Sequence, residues 1–107
     1  MVGDRESAPK SGVLTSPNYP HLYPSNHVST QIIAVREGRT IRLRWTNFNT
    51  EQEYDYIQIT DGLRLLPQLS GSSLPPPWTS TSNIVKVEFS TDMRSRRKGW
   101  RLEWTER

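Results

Sequence analysis

The stretch "TIRLRWTNFNTEQEYDYIQITDG" at residues 40–62 decides the fold class. In its first part Ile41, Leu43 and Trp45 alternate with polar residues, two of them arginines, and after a short acidic segment Ile57 and Ile59 repeat the alternation. Successive side chains of a strand point to opposite faces, so a period of two predicts strands with one buried face. The stretch therefore predicts two such strands on either side of an acidic connection.

The same alternation recurs in "IVKVEF" at residues 84–89 and in "GWRLEW" at residues 99–104. Residues 29–35 and 64–71 are weaker strand candidates, and no window has the apolar spacing of a helix. Many short strands with turn signals between them predict an all-β, two-sheet antiparallel sandwich. We expect one domain at residues 11–107, after a flexible tail or added flank at residues 1–10. The predicted inward residues of the two further strands are Val85, Val87, Phe89, Trp100, Leu102 and Trp104.

Composition excludes several classes of function. The 107 residues contain no cysteine, so disulfides, thiolate zinc sites and cysteine nucleophiles are ruled out. No apolar run reaches the roughly 18 residues that span a bilayer, and we expect no membrane insertion. The two histidines have no spaced partners for a zinc site or a catalytic triad, so no enzyme is expected.

Four blocks of sequence occur in an order that resembles the CUB domain. They are "SGVLTSPNYPHLYPSN" at residues 11–26, "FNTEQEYDYIQITDG" at 48–62, "NIVKVEFSTD" at 83–92, and the "GWRLEW" block. The resemblance implies a jelly-roll-like sandwich in which residues 16–26 form an ordered crossing segment, with Tyr19 and Tyr23 packed and hydrogen-bonded near one end of the sandwich. The family usually carries two disulfides, and neither can form in this cysteine-free chain.

The resemblance also implies a calcium site at one end of the sandwich. Its carboxylate motifs match Glu51, Asp55 and Asp92, and its orienting tyrosine matches Tyr19. Ca²⁺ takes six to eight oxygen ligands, so carboxylates from separate loops suit it. In the family, a Lys or Arg of a protein partner contacts these carboxylates. The alternative is that the acids are solvated turn residues that cap backbone amides.

A basic loop, "RSRRK", follows the last of these acids at residues 94–98. Its position between two strands predicts a hairpin tip. Arg94, Arg96, Arg97 and Lys98 could bind a sulfated glycan or another anionic partner. No aromatic platform accompanies the loop, so nucleic acid is not an expected partner. The alternative is a solvated loop whose charge offsets the nearby acids.

Taken together, the resemblance predicts a non-catalytic protein-recognition module of a larger multidomain protein. By family habit the location is extracellular, in a secreted protein or a receptor ectodomain. The absence of cysteines and of Asn-x-Ser/Thr sequons favours an alternative, a structural or scaffolding domain of a large intracellular protein without calcium. A third hypothesis is a glycosaminoglycan-binding module that uses the basic loop.

Overall fold

The computed structural model describes residues 10–93 and 96–107, and this part of the chain forms eight strands in two four-stranded antiparallel sheets. The strands are β1 (Ser11–Thr15), β2 (Val28–Ala34), β3 (Ile41–Asn49), β4 (Tyr56–Asp61), β5 (Arg64–Leu65), β6 (Trp78–Thr79), β7 (Ile84–Ser90) and β8 (Gly99–Glu106). Sheet A has the order β1-β8-β3-β6, and sheet B has the order β2-β7-β4-β5. The predicted all-β two-sheet sandwich is confirmed. The predicted tail at residues 1–10 lies, apart from Lys10, outside the described residues.

The core consists of the residues that the alternation predicts to face inward. On β3, Ile41, Leu43 and Trp45 are buried while Arg44 between them is exposed. Antiparallel pairing with β8 sets Leu43 opposite Trp104 in the same sheet. Each such side chain contributes roughly 1.5–3 kcal/mol on full burial. All of the predicted inward residues are buried, namely Ile41, Leu43, Trp45, Ile57, Ile59, Val85, Val87, Phe89, Trp100, Leu102 and Trp104.

A chain of edge-to-face aromatic contacts runs through this core. Tyr23 packs on Phe89 with ring centroids 5.0 Å apart, and Phe89 packs on Trp100 at 5.9 Å. Trp100 in turn contacts Trp45 at 5.8 Å, and Trp45 contacts Phe48 at 5.3 Å. Each pair adds about 0.5–1.5 kcal/mol beyond its burial. The aromatic chain links the two sheets without any disulfide.

Three connections meet at one end of the sandwich, which we call the loop end. They join β1 to β2 (residues 16–27), β3 to β4 (residues 50–55) and β7 to β8 (residues 91–98). Each connects a strand of one sheet to a strand of the other. The prediction that residues 94–98 form a hairpin tip is therefore wrong, because β7 lies in sheet B and β8 in sheet A.

Residues 16–26 cross the loop end as an ordered segment, as the family resemblance implied. The backbone N–H of Ser16 donates to the carbonyl of Trp100 at 2.9 Å, and that of Tyr23 donates to the carbonyl of Arg97 at 3.1 Å. The N–H of Asn26 donates to the carbonyl of Asp92 at 2.8 Å. These bonds attach the β1–β2 connection to the β7–β8 connection and fix the side chains between them.

Candidate metal centre

Three carboxylates come together at the loop end. Glu51, Asp55 and Asp92 each offer an oxygen, and these oxygens all lie within 4.8 Å of one another. Glu51 and Asp55 belong to the β3–β4 connection, whereas Asp92 follows β7. The sequence motifs thus selected three residues that the fold places in one cluster, although Asp55 and Asp92 are 37 residues apart in the chain.

The β3–β4 connection is a tight turn that positions the first two acids. The backbone N–H of Asp55 donates to the carbonyl of Glu51 at 3.0 Å. The hydroxyl of Thr50 donates to the carbonyl of Asp55 at 3.1 Å and accepts from the N–H of Gly71 at 3.1 Å. Thr50 is buried, so its hydroxyl connects Asp55, at the end of the turn, with Gly71 of a neighbouring segment inside the molecule.

Asp55 is the buried centre of the cluster, only 1 % exposed. Its Oδ2 accepts a hydrogen bond from the Tyr23 hydroxyl at 2.6 Å, and its Oδ1 accepts one from the backbone N–H of Asp92 at 2.8 Å. Burial raises the pKa of the Asp55 carboxyl, these two hydrogen bonds act against the rise, and the charge of Asp92 adds to it. Asp55 therefore ties the β1–β2 and β7–β8 connections to the turn.

The tyrosine that reaches the cluster is Tyr23, four residues after Tyr19. Besides donating to Asp55, its hydroxyl accepts from the backbone N–H of Glu51 at 3.1 Å. Tyr23 is fully buried, and burial together with the bond to Asp55 raises its phenol pKa. Tyr19 instead lines a separate cavity of about 300 Å³ with Asn47 and Lys98. Both tyrosines precede a proline in an irregular segment, so no sequence period distinguishes the buried one.

One of the two carboxylate oxygens of Glu51 is left without a donor by the described residues. This oxygen, Oε1, is buried. Burial raises the pKa of the Glu51 carboxyl, and the charges of Asp92 and Asp55 raise it further, while Arg97 acts in the opposite direction. A buried acceptor without a donor is costly. A cation beside this oxygen would both satisfy the buried acceptor and offset the repulsion between the carboxylates of Glu51, Asp55 and Asp92.

The donor set fits a hard cation. All three side chains supply carboxylate oxygens and none supplies nitrogen or sulfur, which is the chemistry that Ca²⁺ prefers over Zn²⁺. Tyr23 holds Asp55 in place by the bond given above, in the manner of outer groups that orient metal ligands. The residues of this cluster are thus suited to a calcium ion.

The basic residues predicted as an anion site have a different placement. Arg96, Arg97 and Lys98 are exposed, and Arg94 lies outside the described residues. Arg97 is near enough to act electrostatically on Glu51 and Tyr23. Lys98 directly precedes β8, a central strand of sheet A, and lines the same cavity as Tyr19. Within the described part of the loop, Arg97 thus lies toward the acidic cluster and Lys98 toward the cavity beside Asn47 and Asn49.

Comparison with known proteins identifies the family. The family model described as the CUB domain matches residues 3–104. The chain belongs to the CUB domain family. Mouse Tolloid-like protein 1 is 37 % identical over 98 residues, which cover 84 % of this chain and 10 % of that relative. The CUB domain thus spans only a small part of a relative that it resembles.

Solved CUB domains have the same architecture. A structure of the CUB1-EGF-CUB2 region of human MASP-1/3 superposes with a TM-score of 0.89 at 30 % identity, covering 92 % of this chain and 40 % of that one. The MASP-1 CUB2 domain bound to Ca²⁺ superposes with a TM-score of 0.86 at 28 % identity, covering 92 % and 94 % respectively. The acidic cluster of this chain thus lies in a fold for which a calcium-bound relative is known.

Among the described residues, no helix has the length and apolar character needed to span a membrane.

Proposed function

We propose that this CUB domain binds Ca²⁺ through Glu51, Asp55 and Asp92 and thereby orders a protein-recognition surface at its loop end. The observation that carries the proposal is the convergence of three carboxylate oxygens within 4.8 Å, one of the acids having a buried oxygen without a donor among the described residues. When bound, the ion would supply the positive charge that these acids lack. Tyr23 would keep Asp55 oriented toward it.

The ion would act as a cross-link between chain segments. Glu51 and Asp55 lie in one connection and Asp92 in another, and Tyr23 attaches a third through its bond to Asp55. A ligand that binds only the folded arrangement stabilises that arrangement by mass action. Calcium therefore takes over at this end part of the role that disulfides have in other small domains.

The recognition step follows from the same charges. Acidic oxygens held at the rim by an ion can accept charge-assisted hydrogen bonds from a Lys or Arg of a partner protein. Affinities of ~10⁻⁴ to 10⁻³ M are usual for calcium in extracellular modules. Such a site is occupied outside the cell, and we accordingly place the domain in the extracellular part of a multidomain protein.

A calcium titration followed by thermal unfolding tests the metal site. At several millimolar Ca²⁺ we expect stabilisation of about 1–2 kcal/mol. For a domain of this size that corresponds to a rise in Tm of roughly 5–10 °C. The variant Asp92→Asn should lose the rise. Glu53→Gln is the matched control. Glu53 is exposed in the β3–β4 connection, which also carries Glu51 and Asp55, but it lies outside the cluster. Equal responses of both variants, or no response of the parent domain, would refute the metal site.

A lysine probe tests the recognition step separately. Titration of acetyl-lysine amide into the ¹⁵N-labelled domain should shift the amides of residues 51–55 and 92 in Ca²⁺ and leave them unchanged in EDTA. If the domain binds calcium but its amides do not respond to the probe, the metal site stands and the proposed contact with a basic residue of a partner is refuted.

A further inference from the structure

The outer surface of sheet A carries a group of cations that the calcium site does not use. Arg42 and Arg44 on β3 and Arg101 on β8 point outward between buried neighbours, and Lys98 lies at the loop end of the same surface. We call these four residues the basic face. The carboxylate of Glu103 lies among them, whereas Glu106 on the same strand bonds to Arg36.

Hydrogen bonds hold the arginines of the basic face in position. Arg44 donates to Glu103 at 2.6 Å and Arg101 donates to it at 3.0 Å, so one carboxylate serves two guanidinium groups. These bonds lower the pKa of Glu103, which stays ionised. Arg42 donates to the hydroxyl of Thr79, a neutral partner. Each guanidinium keeps further N–H donors, because it has five in all.

Apart from Glu103, the strand residues between the cations are polar and uncharged. Thr46 on β3, Thr105 on β8 and Thr79 on β6 supply hydroxyls, and the cavity at the loop end adds the amides of Asn47 and Asn49. The aromatic residues of β3 and β8 point into the core. Sheet A also exposes one aliphatic residue, Val13 on β1 beside Glu103, whereas the outer surface of sheet B exposes three, Val28, Ile32 and Ile84.

We infer that the basic face binds a sulfated polysaccharide. Sulfate groups accept bidentate hydrogen bonds from arginine. Sugar hydroxyls pair with neutral side chains such as threonine and asparagine. From Arg42 to Asn49 the strand extends for about 24 Å, which lets several anionic groups of one polymer bind at once. The absence of exposed aromatic rings among the described residues of β3 and β8 disfavours single-stranded nucleic acid.

The inference does not depend on calcium, and it is tested in EDTA. The probe is a size-defined heparin oligosaccharide, and Kd is measured at several salt concentrations. The variant Arg42→Gln/Lys98→Gln removes two cations that have no carboxylate partner in the hydrogen bonds and ion pairs of the described residues. The control, Arg64→Gln/Lys86→Gln, removes two exposed cations from sheet B, of which Arg64 lies 3.9 Å from the carboxylate of Asp61. Thermal unfolding confirms that both variants fold.

The expected result is a Kd about tenfold or more weaker for the basic-face variant and nearly unchanged for the control. The dependence of log Kd on log salt concentration should also become shallower for the basic-face variant alone. Equal losses in the two variants would overturn the inference, since they would report net charge only.

Competition then separates sulfated glycan from other polyanions. Heparin should displace the probe, whereas desulfated heparin and unsulfated hyaluronan should not. Displacement by poly-glutamate or by an oligonucleotide at the same charge concentration as heparin would overturn the glycan assignment in favour of an acidic protein or of nucleic acid.

Discussion

At the scale of single residues, Gly99 shows how closely the segments of the loop end approach one another. Its φ is +93°, and a Cβ at this position would overlap the Oγ of Ser16 and lie 2.8 Å from its Cβ. Ser16 cannot easily move, because its Oγ accepts from the N–H of Trp100 at 3.0 Å and its own N–H donates to the Trp100 carbonyl. Only glycine combines this backbone conformation with so close a contact.

We therefore expect Gly99→Ala to destabilise the domain by about 3 kcal/mol, from backbone strain and overpacking together. Gly38→Ala provides the comparison, since Gly38 has φ +87° but a methyl group there would meet no atom within 4 Å. It should cost about 1 kcal/mol, the strain alone. Urea unfolding of the two variants measures the difference, and equal losses would show that the contact with Ser16 is unimportant.

A second residue, Asp61, links stability to pH. Its buried carboxylate accepts hydrogen bonds from the backbone N–H and the hydroxyl of both Thr81 and Ser82, at 2.8 to 3.0 Å. Burial alone would raise its pKa, but these four bonds outweigh burial and hold the pKa of Asp61 below its usual value. Among the described residues, the guanidinium of Arg64 forms an ion pair with the Asp61 carboxylate at 3.9 Å.

Because the pKa of Asp61 is lower in the folded state, its contribution to stability is complete above the unfolded value of about 3.9 and is lost as pH falls through the folded value. Asp61→Asn should cost about 2–3 kcal/mol at pH 7. Urea unfolding from pH 7 to pH 3 should show the parent and variant converging as pH falls. A difference that is constant over this range would contradict the assignment.

At the scale of elements, periodicity in the sequence predicts the strands and their buried faces. The alternation in β3, β4, β7 and β8 identifies the buried face of each strand, because the period of two is a property of the strand itself. It does not tell which sheet a strand joins. That choice rests on contacts far apart in sequence, and for this reason the hairpin tip predicted at the basic loop is wrong.

Irregular elements were predictable only through family motifs. The motifs selected Glu51, Asp55 and Asp92, which the fold brings together. Of the two tyrosines expected at this end, the motifs gave the ligand-orienting role to Tyr19, whereas it is Tyr23 that packs on Phe89 and bonds to Asp55. These neighbours come from other parts of the chain, so the segment containing Tyr23 carries no local sign of its contacts.

At the scale of the whole molecule, the two ends of the sandwich should respond differently to calcium. The proposed ligands lie in two of the three connections of the loop end, and Tyr23 attaches the third through Asp55. The turns at the opposite end, where the N–H of Val35 donates to the carbonyl of Asn83, contain none of these ligands. Local opening of a connection governs how fast its amides exchange. An ion that ties the connections together should therefore slow exchange at the loop end.

We expect Ca²⁺ to slow hydrogen exchange of amides in residues 50–55 and at Asp92 by about tenfold, which corresponds to roughly 1.4 kcal/mol. Amides of the opposite turns, including Val35 and Ser80, should exchange at unchanged rates where they exchange by local opening, because such opening leaves the calcium ligands in place. Asp92→Asn should abolish the effect at the loop end. Hydrogen exchange followed by NMR with and without EDTA measures both ends in one sample. Uniform slowing at the two ends would mean that calcium acts only through global unfolding, and that it does not order the recognition surface in particular.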